Sequence, residues 1–285
     1  MARHELPLDR RHLHGHFSRE LEPVVTIDRG DSVRLSVPSS GWRLESGELF
    51  EPRDDELDAG HALAGPIEVR GARAGQTLVV KIEDVRAGSW GVTFTEPPHF
   101  VRWDLADGRG RSELFDIELR PFLGVLGMPP PAAGMHSTIP PRRWGGNIDC
   151  KELVAGTTLF LPIPVDGALF SAGDGHAAQG DGEVSGTAIE CPAQAELTLD
   201  VRDDLSLEWP IARTADAWIT FGFDEDLGRA ARIATDGMVD LLRRERGLLR
   251  GDALALASVV VDLRVTQVVN EAQGVHAVLR DGAVR

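Results

Sequence analysis

Between Trp144 and Glu190 the chain gathers more potential ligands than its turns require. Gly145-Gly146-Asn147 leads into Asp149, and Asn147 and Asp149, two apart, share one side if the segment is extended. Further on, Asp174, His176, Gln179, Asp181 and Glu183 put one imidazole, three carboxylates and a carboxamide within ten residues. The interleaved glycines let the backbone curl so that these side chains converge. Imidazole nitrogen and carboxylate oxygen are donors that a hard or borderline divalent cation accepts. Such an ion polarises a carbonyl and acidifies a bound water, while a nearby Glu moves protons. The plain alternative is a set of solvated Asp-Gly turns with one histidine satisfied locally.

The elements that must position these residues read as mostly β. Glycine and proline punctuate short runs rich in Val, Ile and Leu. Asp31-Ser-Val33-Arg-Leu35-Ser-Val37 alternates apolar and polar residues, which predicts a strand with one buried face. A Gly-x-x-Φ-x-Φ-x-Φ pattern, with Φ an apolar residue, begins at Gly30, Gly75 and Gly156. Its spacing is irregular, so it is either a common turn-then-strand pattern or the trace of a duplicated sandwich or barrel unit. Residues 85–145, with Trp90, Trp103, Trp144 and several prolines, read as long loops over the scaffold, of the kind that wall a pocket. In the last third, Leu227, Ala230, Ala231, Ala234, Met238, Leu241 and Leu242 recur at helical spacing before Gly247. A second helix is expected over 252–260 and a strand over 262–269. The expected fold is mostly β with α+β additions: a β-sandwich or barrel-like core with a C-terminal helical pair. Two parts are expected, 1–145 β-rich with long irregular loops and 146–285 carrying the motifs, or one integrated unit of both.

The chain has 285 residues, Lys+Arg 30 against Asp+Glu 45, and a formal net charge of −15. That excess excludes the basic patch a nucleic-acid binder needs and disfavours an anionic membrane surface. No apolar run approaches the roughly 20 residues of a spanning helix, residues 253–261 being too few. The beginning MARHELPLDRRHLHGHF is charged throughout, so no secretory signal is expected and a cytoplasmic location is. Cys150 and Cys191 are too few for a disulfide framework and form no CxxC pair.

GGNIDCKEL, followed by TLFLPIPVDGALFSAGDGHAAQGDGEVSGTAIE, strongly resembles the acetamidase/formamidase family, whose signature has a GGN-x-D segment and a GD-x-HAAQGDGE segment ending in Ile-Glu. VTIDRGDSVRL, GPIEVRGARAGQTLVVKIEDV and DLRVTQVVN extend the resemblance over most of residues 20–275. It implies a β-rich sandwich-like fold, cleavage of short aliphatic amides to carboxylate and ammonia, a metal at the acidic centre, and a cytoplasmic homo-oligomer. The ending from Asn270 to His276 keeps Gly-Val but loses the Pro-Asn-Lys character frequent there, and residues 90–141 match least. Pro38-Ser-Ser-Gly41 is too short for a serine-lysine amidase, and neither cysteine sits in an evident nucleophile elbow.

On that resemblance Asp149 and His176 are the first-choice metal ligands, with His16 as a third and a water position left open. Zinc is the first candidate ion and calcium the second. Glu183 is the expected general base and acid, because departing ammonia must be protonated, with Asp181 as its orienting partner or an extra ligand. Asn147 and Gln179 are expected to hold the amide. Asp174 reads as a turn residue, and Glu190 either ends a strand or is a buried partner of the centre. A larger amide, a carbamate or a urea-like substrate, or a non-catalytic metal-binding member of the same fold, are the competing readings.

Overall fold

A computed structural model describes residues 1–95 and 97–284. Its framework is two large sheets. Nine strands form the first, in the order Arg3–Leu6, Asp31–Val37, Ala193–Arg202, Thr77–Ala87, Thr158–Pro162, Ile211–Arg213, Ala217–Asp224, Gln273–Arg280, Val261–Gln267. Along the second run Gly145–Asn147, Phe122–Gly127, Phe170–His176, Leu63–Val69 and Leu13–His14, with Val25–Ile27 also paired to Leu63–Val69. Strands from both sides of residue 145 are hydrogen-bonded neighbours within each sheet.

The alternation in Asp31–Val37 fixes its facing: Val33, Leu35 and Val37 are buried while the residues between them are half-exposed. Leu78, Val80, Ile82, Leu197 and Leu199 of the first sheet share one core with Ala64, Ile67, Leu123, Leu126, Phe170 and Ala172 of the second. The two sheets therefore pack face to face as a β-sandwich. Gly30, Gly75 and Gly156 all take positive φ (84°, 90° and 88°), and each reverses the chain shortly before a strand of the same nine-stranded sheet. This is the turn that the recurring pattern encodes.

Residues 85–145 are more regular than expected. Trp90–Thr95, His99–Ala106, Arg109–Arg111 and Asp116–Glu118 form a separate four-stranded antiparallel meander. Asp107 and Gly108 both have positive φ (51° and 71°), the backbone that a two-residue hairpin demands and that an Asp-Gly pair supplies. Prolines and tryptophans suggested loops there, but cross-strand packing of Trp103, Leu105 and Ile117 supplies the order.

The helical pair forms as expected. Helix α1 (Leu227–Arg246) starts at Asp226, whose carboxylate accepts from the Arg229 amide at 2.7 Å, and ends at Gly247 in the left-handed region. Its buried stripe, Ala230, Ala234, Met238, Leu241 and Leu242, packs on Val275 and Ala277 together with helix α2 (Arg250–Val260). A Cβ at Gly222 would stand 2.1 Å from the Ala230 carbonyl, so glycine is what lets α1 lie this close to its sheet. No helix among the described residues is long and apolar enough to cross a membrane.

Candidate active site

The centre is built on the strand Phe170–His176, wholly buried in the middle of the second sheet. Asp174 and His176, two apart, project from one face of it. Asp174 thus lies inside a strand rather than in the turn its Gly-Asp-Gly setting suggested. The flanking glycines serve close packing: a Cβ at Gly173 would meet the Ala62 carbonyl at 2.2 Å, and one at Gly175 the Cys191 carbonyl at 2.6 Å. Asp174 itself adopts a φ of 63°, as Asp149 (50°) and Glu183 (44°) also do in their segments. Strained backbone of this kind costs roughly 1–3 kcal/mol per residue and persists where surrounding structure enforces it.

His176 is gripped from every side. Its Nδ1 lies 3.0 Å from Gln179 Oε1, and Gln179 Nε2 in turn donates to the Asp149 carbonyl at 2.7 Å. That second bond orients the amide, so Nδ1 carries the hydrogen and donates it to Oε1. Nε2 then faces Asp174 Oδ2 at 3.3 Å and Glu190 Oε1 at 3.2 Å. Phe122 stands edge-on to the ring with centroids 5.0 Å apart. Glu190 is held by the Ala188 amide at 2.9 Å and the Ser40 hydroxyl at 2.8 Å, and its backbone pairs with Val92 of the meander.

Asp149 enters from beyond the strand Gly145–Asn147. Asn270 Nδ2 donates to its Oδ2, while Oδ1 lies 3.9 Å from His176 Nδ1 and has no hydrogen-bond partner. Glu183 arrives on the 180–186 turn, stitched to the strand Val261–Gln267 by the Gly182 amide (3.0 Å to the Thr266 carbonyl), and brings a carboxylate oxygen within 4.8 Å of one of Asp149. The missing side chain of Gly124 lets these groups pack against its backbone. A Cβ there would come within 2.3 Å of Asp174 Oδ2, 2.5 Å of Asp149 Oδ1 and 2.9 Å of the His176 ring.

Burial and mutual repulsion decide how this cluster holds protons. Burial, reinforced by the neighbouring Asp149 charge, pushes Glu183 up to about 9. Burial also pushes Asp149 up to about 7, against the pull of His176. Burial would lower the His176 pKa, yet the Glu190 and Asp174 carboxylates hold it well above the usual imidazole value. Burial likewise opposes ionisation of Asp174, but His176 and His61 keep it below the carboxylate range. The result is one imidazolium, ionised carboxylates beside it and a proton retained between Asp149 and Glu183.

A divalent cation fits the same donors. Asp174, His176 and Glu190 place ligand atoms within 4.8 Å of one another, and so do Asp149, His176 and Glu183. The buried Oδ1 atoms of Asp149 and Asp174 are both without a hydrogen-bond partner. Asn147, 2% exposed, also has an unpartnered Oδ1.

Two of the residues singled out in the sequence stand elsewhere. Asp181 pairs with Lys151 at 2.6 Å and approaches Arg264 at 4.0 Å, outside both ligand groups. His16 is buried and bonds the Leu57 carbonyl through Nδ1 at 2.8 Å, and no ligand group among the described residues includes it. Gln179 spends both ends of its amide inside the protein. Gly124, Ser40, His61 and Asn270 carried no readable signal, since glycine in an apolar run and lone polar residues in distant segments become informative only once folded.

The Acetamidase/Formamidase family model matches residues 3–101 and 128–279. An acetamidase of Mycolicibacterium smegmatis is 50% identical, the match covering 60% of this chain and 61% of that one. The chain spans about 60% of the length of the curated relatives it matches. Among solved structures, an acetamidase from Bacillus halodurans superposes with a TM-score of 0.87 at 28% identity, covering 97% of each chain. A predicted acetamidase/formamidase from Thermoanaerobacter tengcongensis gives a TM-score of 0.88 at 26% identity, over 99% of this chain and 97% of its own.

Proposed function

This chain belongs to the acetamidase/formamidase family, and from that premise we propose that it hydrolyses a short linear amide, of the formamide or acetamide kind, to carboxylate and ammonia. The observation that carries the reading is the buried ring of Asp149, Asp174, Glu183 and Glu190 around His176, drawn in so closely over Gly124 that no side chain would fit at that position.

Asp174, His176 through Nε2, and Glu190 would hold a divalent ion, with Asp149 on the other side of the imidazole. Zinc is the first candidate because an imidazole joins the carboxylates, and calcium the second because oxygens outnumber nitrogen. When bound, the ion supplies Lewis acidity toward the amide oxygen and the attacking water. Gln179 does not grip substrate in this reading; it fixes the His176 tautomer. Asn147 offers its free Oδ1 to the amide N–H of the substrate. Glu183 keeps a proton at neutral pH and delivers it to the departing nitrogen, which leaves as ammonia rather than as an amide anion. Asp149, close to Glu183 and pushed up to about 7 by burial, takes the proton that the attacking water gives up.

Glu183→Gln tests the assignment. Turnover is expected to fall by about 10²–10⁴-fold, the usual worth of a positioned acid or base, with metal content unchanged. Full activity in that variant removes Glu183 from the mechanism. Asp174→Asn and Glu190→Gln should instead lower the metal content measured by elemental analysis.

A homo-oligomer in the cytoplasm belongs to the same proposal. Phe94, Phe100, Leu114 and Phe115 lie exposed on the meander and its turns, an apolar face suited to another copy. Light scattering that reports only monomers at micromolar concentration would remove this part.

A further inference from the structure

The Asp149–Cys150 step separates two clusters, and the second is used by no part of the amide chemistry. Cys150, Glu152 and His276 place a sulfur, a carboxylate oxygen and a ring nitrogen within 4.8 Å of one another. Cys150 Sγ is 3.4 Å from Glu152 Oε2, and His276 Nε2 is 3.7 Å from the same oxygen. His276 is fully buried on the core-facing side of the strand Gln273–Arg280. Its Nδ1 is taken by the Thr266 hydroxyl at 2.8 Å, whereas Nε2 points into the cluster without a hydrogen-bond partner. Glu152 is turned the same way, because Arg264 occupies its other oxygen at 3.0 Å.

We infer that Cys150, Glu152 and His276 form a second metal site, for a zinc-like ion, distinct from the amide-cleaving centre. The donor set selects the ion: thiolate and imidazole suit zinc, while magnesium and calcium prefer oxygen alone. The spacing selects it too. Ligands about 2.0–2.3 Å from a tetrahedral centre stand roughly 3.3–3.8 Å from one another, and the sulfur–oxygen and nitrogen–oxygen separations of 3.4 and 3.7 Å fall in that range. Binding releases the thiol proton to solvent. The ion fastens the segment after Gly145–Asn147 to the strand Gln273–Arg280, and so braces the backbone from which Asp149 reaches the first centre.

The test is spectroscopic and independent of amide turnover. The full chain, stripped with a chelator and titrated with cobalt(II), is expected to develop the near-ultraviolet thiolate-to-cobalt charge-transfer band. Cys150→Ala should lose that band and bind one equivalent fewer, and His276→Gln should weaken cobalt binding at least tenfold. A saturated wild-type protein without the band overturns the site, whether or not amides are cleaved. A band that persists in Cys150→Ala overturns it as well, by assigning the thiolate to Cys191. Should Cys150→Ala fail to fold, the wild-type spectrum and His276→Gln still decide.

Discussion

His176 has both ring nitrogens committed, Nδ1 to Gln179 and Nε2 to Asp174 and Glu190. It cannot turn without leaving buried charge unpaired, which costs several kcal/mol. Around it, Asp149 and Glu183 titrate above ordinary carboxylates, so the folded chain holds protons that the unfolded chain releases. Stability from these groups is therefore complete below pH ~4 and is lost as pH rises through about 7 for Asp149 and about 9 for Glu183. Asp174, shifted downward, is ionised in both states across that window and adds no slope. Urea unfolding of chelator-treated protein between pH 5 and 9 should show stability falling by about 1.4 kcal/mol per pH unit for each retained proton. Glu183→Gln should make the curve less steep above pH 7, where His176 still keeps a proton that the unfolded chain releases, and an equally steep curve in the variant would contradict the proton retained on Glu183. Gly124→Ala drives a methyl into Asp149 and Asp174. Activity there should drop on the order of 10²-fold, the cost of misplacing reacting groups by about an ångström; unchanged kcat/KM would mean that the groups packed on Gly124 are not where the reaction occurs. The sequence motif already contained Asp149, His176 and Glu183, because they lie in two short segments of unusual composition. Ser40, Gly124 and Asn270 come from remote segments and meet the motif only through sheet pairing.

Strand order explains why those remote residues arrive. Phe122–Gly127 lies beside Phe170–His176 with Leu123 opposite Gly175 and Val125 opposite Gly173, which sets Gly124 against Asp174. Register of this kind cannot be read from either strand alone. The helices were easier: a buried stripe at three- and four-residue spacing, an Asp cap and a Gly247 stop are local signals, and α1 obeys all of them. The meander was missed for the opposite reason, since prolines and tryptophans masked the Asp107-Gly108 hairpin signal. Two substitutions probe the helix layer. Gly222→Ala presses a methyl into the Ala230 carbonyl and should cost about 1–3 kcal/mol, as overpacking does. Leu241→Ala opens a cavity against the sheet and should cost about 2–5 kcal/mol. Both are measured by chemical denaturation, and losses under about 0.5 kcal/mol would show that α1 is not packed on its sheet as described.

At the scale of the molecule, the net charge of −15 resides mostly on the exposed surface, while part of the acidic excess is drawn into the centre. A neutral amide feels little of the outer field, which salt screens over about 10 Å at 0.1 M. The kcat/KM for acetamide should therefore change by less than about twofold between low and high ionic strength. A steep salt dependence would argue for a charged substrate. The interleaving of both chain halves in each sheet makes the centre a product of the whole fold, with side chains from a central strand, a turn after the sheet edge and a loop clamped by the penultimate strand. The most direct measurement of the central claim is ammonia release from formamide and acetamide by the purified, metal-loaded chain, beside Glu183→Gln. The expected result is one ammonia per carboxylate from at least one of these amides, with the variant near background. No ammonia from either amide, or from propionamide or urea, with the metal fully loaded would contradict it.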